Sequence, residues 1–119
     1  MAEVFKGESL SVQGFKKQVA IKRVLPHLAQ NKNFISMFLD EARLGARLTH
    51  ANIVTVFDIG AADNTYFIVM EFVDGCNLKT VIETYRQQGQ RIGVKESLFI
   101  AMEACKGLSF AHELESEEG

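Results

Sequence analysis

The spacing of apolar and polar residues divides the chain into strand-like and helix-like segments. β-Branched and aromatic residues are concentrated in four short runs that we predict to be strands, at 4–7, 17–25, 53–59 and 66–73. Apolar residues recur at helical spacing in three longer segments, at 34–48, 77–88 and 95–113. The order β-β-α-β-β-α-α predicts an α+β fold in which one helix packs on an antiparallel sheet.

Capping and turn residues support these boundaries. Pro26 has no amide donor, so we expect the second strand to end there. Asn33 and Asn77 are the predicted N-caps of the first two helices, and Gly89 is predicted to close the second helix in a left-handed conformation. Residues 60–64 are conformationally permissive, which predicts a turn between the third and fourth strands.

The first helix carries a carboxylate within its apolar row. Glu41 lies in the middle of that row, whose apolar members are Met37, Leu44 and Leu48. The opposite row is polar throughout, as a solvent-facing stripe should be: Ser36, Asp40, Arg43 and Arg47. A carboxylate on a buried face is costly unless it is paired. Two interpretations stay open: Glu41 pairs with Lys22 on the second strand, or it lies at the edge of the apolar face beside a solvent-exposed cation.

The last helix is apolar around most of its circumference. The residues concerned are Leu98, Phe99, Ile100, Ala101, Met102, Ala104, Cys105, Leu108, Phe110, Ala111 and Leu114. Helices of this kind are normally buried, yet little remains in the chain to bury this one. We therefore expect self-association, or a partner, at the apolar helix 95–114.

Composition and charge argue against several classes of protein. With 119 residues the chain is one domain or less, and a net charge of −2 without a basic block gives no support for nucleic-acid binding. No apolar run approaches membrane-spanning length. Cys76 and Cys105 lack CxxC spacing and the histidines lack a ligand pattern, so we expect no metal site, no disulfide and a cytoplasmic location.

Four motifs follow one another along the chain. They are Val19-Ala20-Ile21-Lys22 with Glu41 on the next helix, His50-Ala51-Asn52-Ile53, Val69-Met70-Glu71-Phe72-Val73 and Asp74-Gly75-x-x-Leu78. Together they resemble the amino-terminal, ATP-binding lobe of a bacterial-type serine/threonine protein kinase. The resemblance implies a partial amino-terminal lobe at 1–73, the hinge exit and first two helices of the carboxyl-terminal lobe at 74–114, and an acidic tail at 115–119.

The resemblance also implies roles for residues on the sheet and first helix. Val4 takes the valine position after the family's Gly-rich loop, and Val4 and Ala20 would form the apolar roof over adenine. Lys22 would contact the α- and β-phosphates of ATP and pair with Glu41.

Five further residues would complete the nucleotide site near the hinge. Met70 matches the gatekeeper at the back of the pocket, while the Glu71 carbonyl and the Val73 backbone would bond the edge of adenine. Asn77 would lie near the ribose, and Leu78 beneath the adenine.

The sequence departs from the family pattern at three positions. Ala2 stands where the third glycine of the Gly-rich loop is expected, and Ala51 replaces a proline. Gly45 occupies a position where the family usually has a packing side chain, which puts the stiffness of that contact in question.

The 119 residues contain neither the His-Arg-Asp catalytic loop nor the Asp-Phe-Gly motif, so no catalytic or metal-binding residue is predicted among them. We expect weak ATP binding, Mg²⁺ binding only in a full-length kinase, and no phosphorylation by the chain alone. Three alternatives stay open: a fragment of a kinase that phosphorylates protein substrates, a non-catalytic binding or regulatory module, and a truncated product without function.

Overall fold

The structure is a computed structural model that describes residues 2–10 and 13–118, with side chains described as far as residue 114. Its strands are β1 (Ala2–Leu10), β2 (Lys16–Val24), β3 (Val56–Ala62) and β4 (Thr65–Glu71). Its helices are α1 (Lys32–Arg47), α2 (Leu78–Gln87) and α3 (Val94–Glu118), with a short 3-10 helix at Pro26–Leu28. This order confirms the predicted α+β fold.

The four strands form one antiparallel sheet in the order β1-β2-β4-β3. Lys22 on β2 pairs with Val4 on β1 and with Ile68 on β4, so these three positions lie side by side across the sheet. Strand β1 is longer than predicted because polar residues on an edge strand hide the alternation on which the prediction depends.

The chain divides into two compact units, Met1–Val73 and Asp74–Gly119. The core of the first unit lies between α1 and the sheet, where Val24, Phe38, Ala42 and Ile68 are buried against one another. Thr65 is buried at the edge of this core, and its hydroxyl donates to the Val24 carbonyl at 3.0 Å. The sheet face that carries Lys22 therefore also carries Ile68, which is packed in this core.

The prediction for the buried face of α1 was wrong. Met37 and Leu44 are 72% and 47% exposed, whereas Phe38 and Ala42 are buried. The buried stripe lies one residue further along than the predicted row, which corresponds to a rotation of about 100° around the helix. The polar row opposite is exposed, as predicted.

The N-cap of α1 also differs from the prediction. Asn31, not Asn33, accepts a hydrogen bond from the Phe34 N–H at 3.1 Å. The Asn77 cap of α2 is confirmed, since its side chain accepts from the Thr80 N–H at 2.8 Å.

The turn between β3 and β4 is shorter than predicted. It consists of Asp63 and Asn64, with φ of 53° and 62°, while Gly60 belongs to β3. The predicted left-handed conformation of Gly89 is confirmed by its φ of 70°. Strand β3 begins at Val56 instead of residue 53, because Ile53 donates its N–H to the His50 carbonyl in a tight turn.

The second unit consists of α2 and α3, and its described hydrophobic side chains all remain at least partly exposed. The predicted apolar surface of α3 is exposed at Leu98, Phe99, Ile100, Met102 and Leu108, and Val94 at the start of the helix is exposed as well. Its backbone remains helical to Glu118, five residues past the predicted end at 113, including most of the predicted acidic tail. Among the described helices, none is long and apolar enough to cross a membrane.

Candidate functional site

A pocket of about 470 Å³ lies in the first unit between α1 and one face of the sheet. Its wall is mostly apolar, and it has one cation and one carboxylate, Lys22 and Glu41. The lining residues are Val4, Lys22, Glu41, Ala42, Leu44, Gly45, Leu48, Val54, Val56, Ile68 and Met70. Three of the predicted site residues on β1, β2 and α1 therefore line one cavity, together with Met70 from β4.

Lys22 and Glu41 form the ion pair that the sequence predicted, with 3.2 Å between Nζ and Oε1. The Glu41 side chain is 64% exposed and that of Lys22 is 29% exposed, so the pair lies at the edge of the apolar face. The structure thus combines both interpretations of Glu41. An ion pair this exposed contributes at most about 1 kcal/mol to the free energy of unfolding, so its importance lies in where it places the Lys22 ammonium group.

The predicted roof residues lie beside this pair. Val4 lies opposite Lys22 on β1 and is 66% exposed. Ala20 precedes Lys22 by two residues and so lies on the same face of β2, where it pairs with Met70. The placement fits the predicted roof and gatekeeper, and the roles themselves stay predictions.

The segment predicted to be the hinge, residues 71–73, begins where β4 ends. Glu71 donates its backbone N–H to the Thr55 carbonyl at 2.8 Å, and its Oε1 accepts the Thr55 N–H at 3.1 Å. Phe72 follows, with the Lys6 ammonium 4.9 Å from its ring centre in a cation–π contact. Val73, the last residue of the first unit, is 61% exposed.

The space beside Gly45, where other residues would have a side chain, is filled by Val56. A Cβ atom on Gly45 would lie 2.7 Å from Cγ2 of Val56, so Val56 occupies the space that a side chain would need. The contact between α1 and β3 is therefore packed in spite of the glycine.

Sequence reasoning missed the pocket wall formed by Val54, Val56 and Ile68. Leu44 and Leu48 carried a signal, because they share the helix row of Glu41. The other three have no local signal that separates them from ordinary core residues, since the fold alone brings them to α1.

Two predicted site residues, Asn77 and Leu78, belong to the second unit. The Asn77 side chain caps α2, where it accepts from both the N–H and the hydroxyl of Thr80, and Leu78 is 45% exposed at the start of that helix. Their contacts with ribose and adenine stay predictions. Cys76 and Cys105 are free, exposed thiols, and the described residues contain no group of three or more His, Cys, Asp or Glu that could hold a metal ion.

Comparison with known proteins places this chain in a family. The model of the protein tyrosine and serine/threonine kinase family matches residues 1–116. Tyrosine-protein kinase MasK of Myxococcus xanthus is 40% identical over all 119 residues, which span 18% of that protein. Serine/threonine-protein kinase PrkC of Bacillus subtilis is 34% identical over 113 residues, covering 95% of this chain and 16% of PrkC.

The fold agrees with solved kinase structures. The PknI kinase domain of Mycobacterium tuberculosis superposes with a TM-score of 0.75 and 29% identity, covering 95% of this chain and 43% of that one. The chain thus spans less than half of that kinase domain and 18% or less of the two curated relatives. Motifs, fold and relatives agree that the chain belongs to the protein tyrosine and serine/threonine kinase family, as a partial kinase domain.

Proposed function

We propose that this chain supplies the nucleotide-binding part of a kinase domain that transfers the γ-phosphate of ATP to protein serine or threonine hydroxyls. The observation that carries the proposal is the Lys22–Glu41 ion pair at the mouth of an apolar pocket. The family generally uses ATP with Mg²⁺. An ammonium group beside an apolar slot fits a ligand with an aromatic base at one end and phosphates at the other.

The proposal gives a role to each of the predicted site residues, of which Val4, Lys22, Glu41 and Met70 line the pocket. Lys22, oriented by Glu41, attracts the α- and β-phosphates, while Val4, Ala20 and Met70 enclose the adenine ring. The backbone of Glu71 and Val73 bonds the adenine edge, and Asn77 and Leu78 are the proposed contacts for the ribose and the base.

Serine/threonine specificity is the finer part of the proposal. The similarity to PrkC supports it, whereas the similarity to MasK points to a tyrosine kinase. Phosphoamino-acid analysis of a protein substrate phosphorylated by the longer kinase would decide between the two.

The chain alone is proposed to bind MgATP weakly and to catalyse no transfer. Its 119 residues contain no catalytic-loop aspartate and no Asp-Phe-Gly motif, the groups that the family uses to orient the hydroxyl and hold Mg²⁺. Labelled phosphate transferred to a generic protein substrate by the purified chain would contradict this statement.

Titration with MgATP tests the nucleotide site. Lys22→Met should weaken binding by about tenfold, because it removes a charge-assisted contact to phosphate while keeping an apolar side chain of similar length. Lys79→Met is the matched control, since it removes an exposed lysine from α2. Equal affinity of wild type and Lys22→Met would refute the proposed role of Lys22.

A second candidate function is a binding module that associates through α3, either with itself or with a protein partner. Its support is the exposed apolar surface, with Leu98 and Met102 58% and 60% exposed one turn apart. Sedimentation velocity of the chain should show concentration-dependent association that Leu98→Lys reduces and Ser97→Lys does not. A monomer at all concentrations would exclude self-association.

A cytoplasmic location is also proposed. Its support is the presence of two free and exposed thiols, Cys76 and Cys105, which are typical of a reducing compartment. Localisation of a fluorescent fusion of the longer kinase would test it.

A further inference from the structure

The pairing of β3 with β4 is interrupted shortly before the hinge. Val56 pairs with Met70, but the neighbouring pair is Asp58 with Val69, so Phe57 is an extra residue in β3. A bulge of this kind bends the strand and disrupts the regular ladder. The segment preceding Val56 therefore needs some other contact to stay beside β4.

Glu71 supplies that contact in an unusual way. Its N–H donates to the Thr55 carbonyl at 2.8 Å, as in a normal ladder, but the Thr55 N–H donates to the Glu71 carboxylate at 3.1 Å. In a regular hydrogen-bonded pair the second acceptor would be the backbone carbonyl of Glu71. The Glu71 carboxylate takes the place of the Glu71 carbonyl as the acceptor, so the Thr55 N–H does not bond that carbonyl.

Thr55 also connects the hinge to the wall of the pocket. Its two sequence neighbours, Val54 and Val56, both line the pocket. The preceding turn is closed by His50, whose Nδ1 accepts the Asn52 N–H at 3.0 Å. The two bonds between Glu71 and Thr55 thus join the segment after this turn to the first residue of the predicted hinge.

We propose that the Glu71 side chain is a positioning residue that sets the base specificity of the nucleotide site. By accepting the Thr55 N–H, the carboxylate leaves the Glu71 carbonyl for the base and restrains its orientation. Adenine presents an amino donor at the edge where guanine presents a carbonyl oxygen. A restrained carbonyl therefore favours ATP and repels GTP, whereas a mobile one discriminates less.

This inference rests on the proposed hinge contact, and substitution of Glu71 tests it. Glu71→Gln keeps an acceptor oxygen at the same distance from the backbone, and Glu71→Ala removes it. NMR titration of the full chain with MgATP and MgGTP gives two dissociation constants for each variant. We expect the preference for ATP to fall by about threefold or more in Glu71→Ala and to stay within about twofold of wild type in Glu71→Gln.

The ratio of the two dissociation constants reports on the base alone. Both nucleotides carry the same triphosphate, so the loss of a negative charge changes both constants equally. Glu83→Ala on α2 is the charge-matched control and should leave the ratio unchanged. Hydrogen exchange at the Thr55 amide supplies a second readout. Its rate should rise in Glu71→Ala and stay unchanged in Glu71→Gln.

Three results would overturn the inference. Unchanged base preference in Glu71→Ala with faster exchange at Thr55 would show that the bond is only structural, while the hinge contact stands. Unchanged exchange at Thr55 would show that the carboxylate does not hold this amide. A wild-type chain that binds MgATP and MgGTP equally would refute the proposed hinge contact itself, and this inference with it.

Discussion

At the scale of single residues, Ile68 belongs to both the core and the site. It is 2% exposed and packs in the cluster that contains Val24 and Phe38, and it also lines the pocket beside Lys22. Pocket and core therefore share a wall, and a change that loosens the core also changes the shape of the pocket.

Ile68→Ala should lower the free energy of unfolding by about 2–5 kcal/mol, because it removes buried methyl groups and leaves a cavity. Urea denaturation followed by circular dichroism measures this change. Leu10→Ala is the control, since Leu10 is 68% exposed on β1 and its truncation should cost little. Equal costs for the two variants would mean that Ile68 is not a core residue.

Gly45 and Val56 should be energetically coupled. Gly45→Ala alone places a Cβ atom 2.7 Å from Val56 Cγ2, so we expect overpacking to cost about 1 kcal/mol or more. In a Val56→Ala background the same substitution should instead stabilise α1 by up to about 1 kcal/mol, through helix propensity. A double-mutant cycle in urea tests the change of sign, and additive effects would contradict it.

Single residues also show where sequence-based prediction succeeds and where it fails. For Glu41, which interrupts an apolar row, the spacing left a pair with Lys22 as one of two interpretations, and the family resemblance favoured the pair. The Glu71–Thr55 contact was not predictable, because it joins an irregular loop to a strand end and has no periodic signal. The compensation of Gly45 by Val56 likewise depends on tertiary packing.

At the scale of elements, α1 shows how a helix can be located correctly and oriented wrongly. Its apolar residues include both Met37 and Leu44 on one side and Phe34 and Phe38 on the next. Periodicity alone cannot rank two adjacent rows, and the sheet selects the row with the aromatic rings. The position of the carboxylate at the edge of the face follows from that choice.

The start of α1 can be tested with two asparagines two residues apart. Asn31→Ala should cost about 1 kcal/mol, because it removes the side-chain acceptor for the Phe34 N–H, whereas Asn33→Ala lies inside the helix and should be neutral or slightly stabilising. Thermal unfolding of both variants measures the difference. A larger loss of stability in Asn33→Ala than in Asn31→Ala would mean that Asn33 is the N-cap, as predicted from the sequence.

At the scale of the whole molecule, the two units differ in how much they bury. The five buried hydrophobic residues among those described, Val19, Val24, Phe38, Ala42 and Ile68, all belong to the first unit. Helices without buried side chains depend on local hydrogen bonds alone, and such helices are only marginally stable in water. The stability of the described chain is therefore concentrated in the sheet and α1.

Hydrogen exchange should reveal this difference directly. Backbone amides of β2 and β4 should be the most protected, and amides of α2 and α3 should exchange at least about tenfold faster in the monomeric chain. Exchange followed by mass spectrometry of peptides gives both rates in one experiment. Protection of α3 equal to that of β4 would mean that α3 is buried in solution, by self-association or by another contact.

The turn at Asp63 and Asn64 has a consequence for the order of assembly. Positive φ at both positions matches the twist of the flanking strands, so the turn itself sets the register of β3 against β4. Such a hairpin closes within about microseconds, and it can form before β2 is added to its other edge. A slip of one residue during that first step would send Ile68 and Met70 to the opposite face of the sheet. The molecule would then retain every residue that lines the pocket and have no pocket.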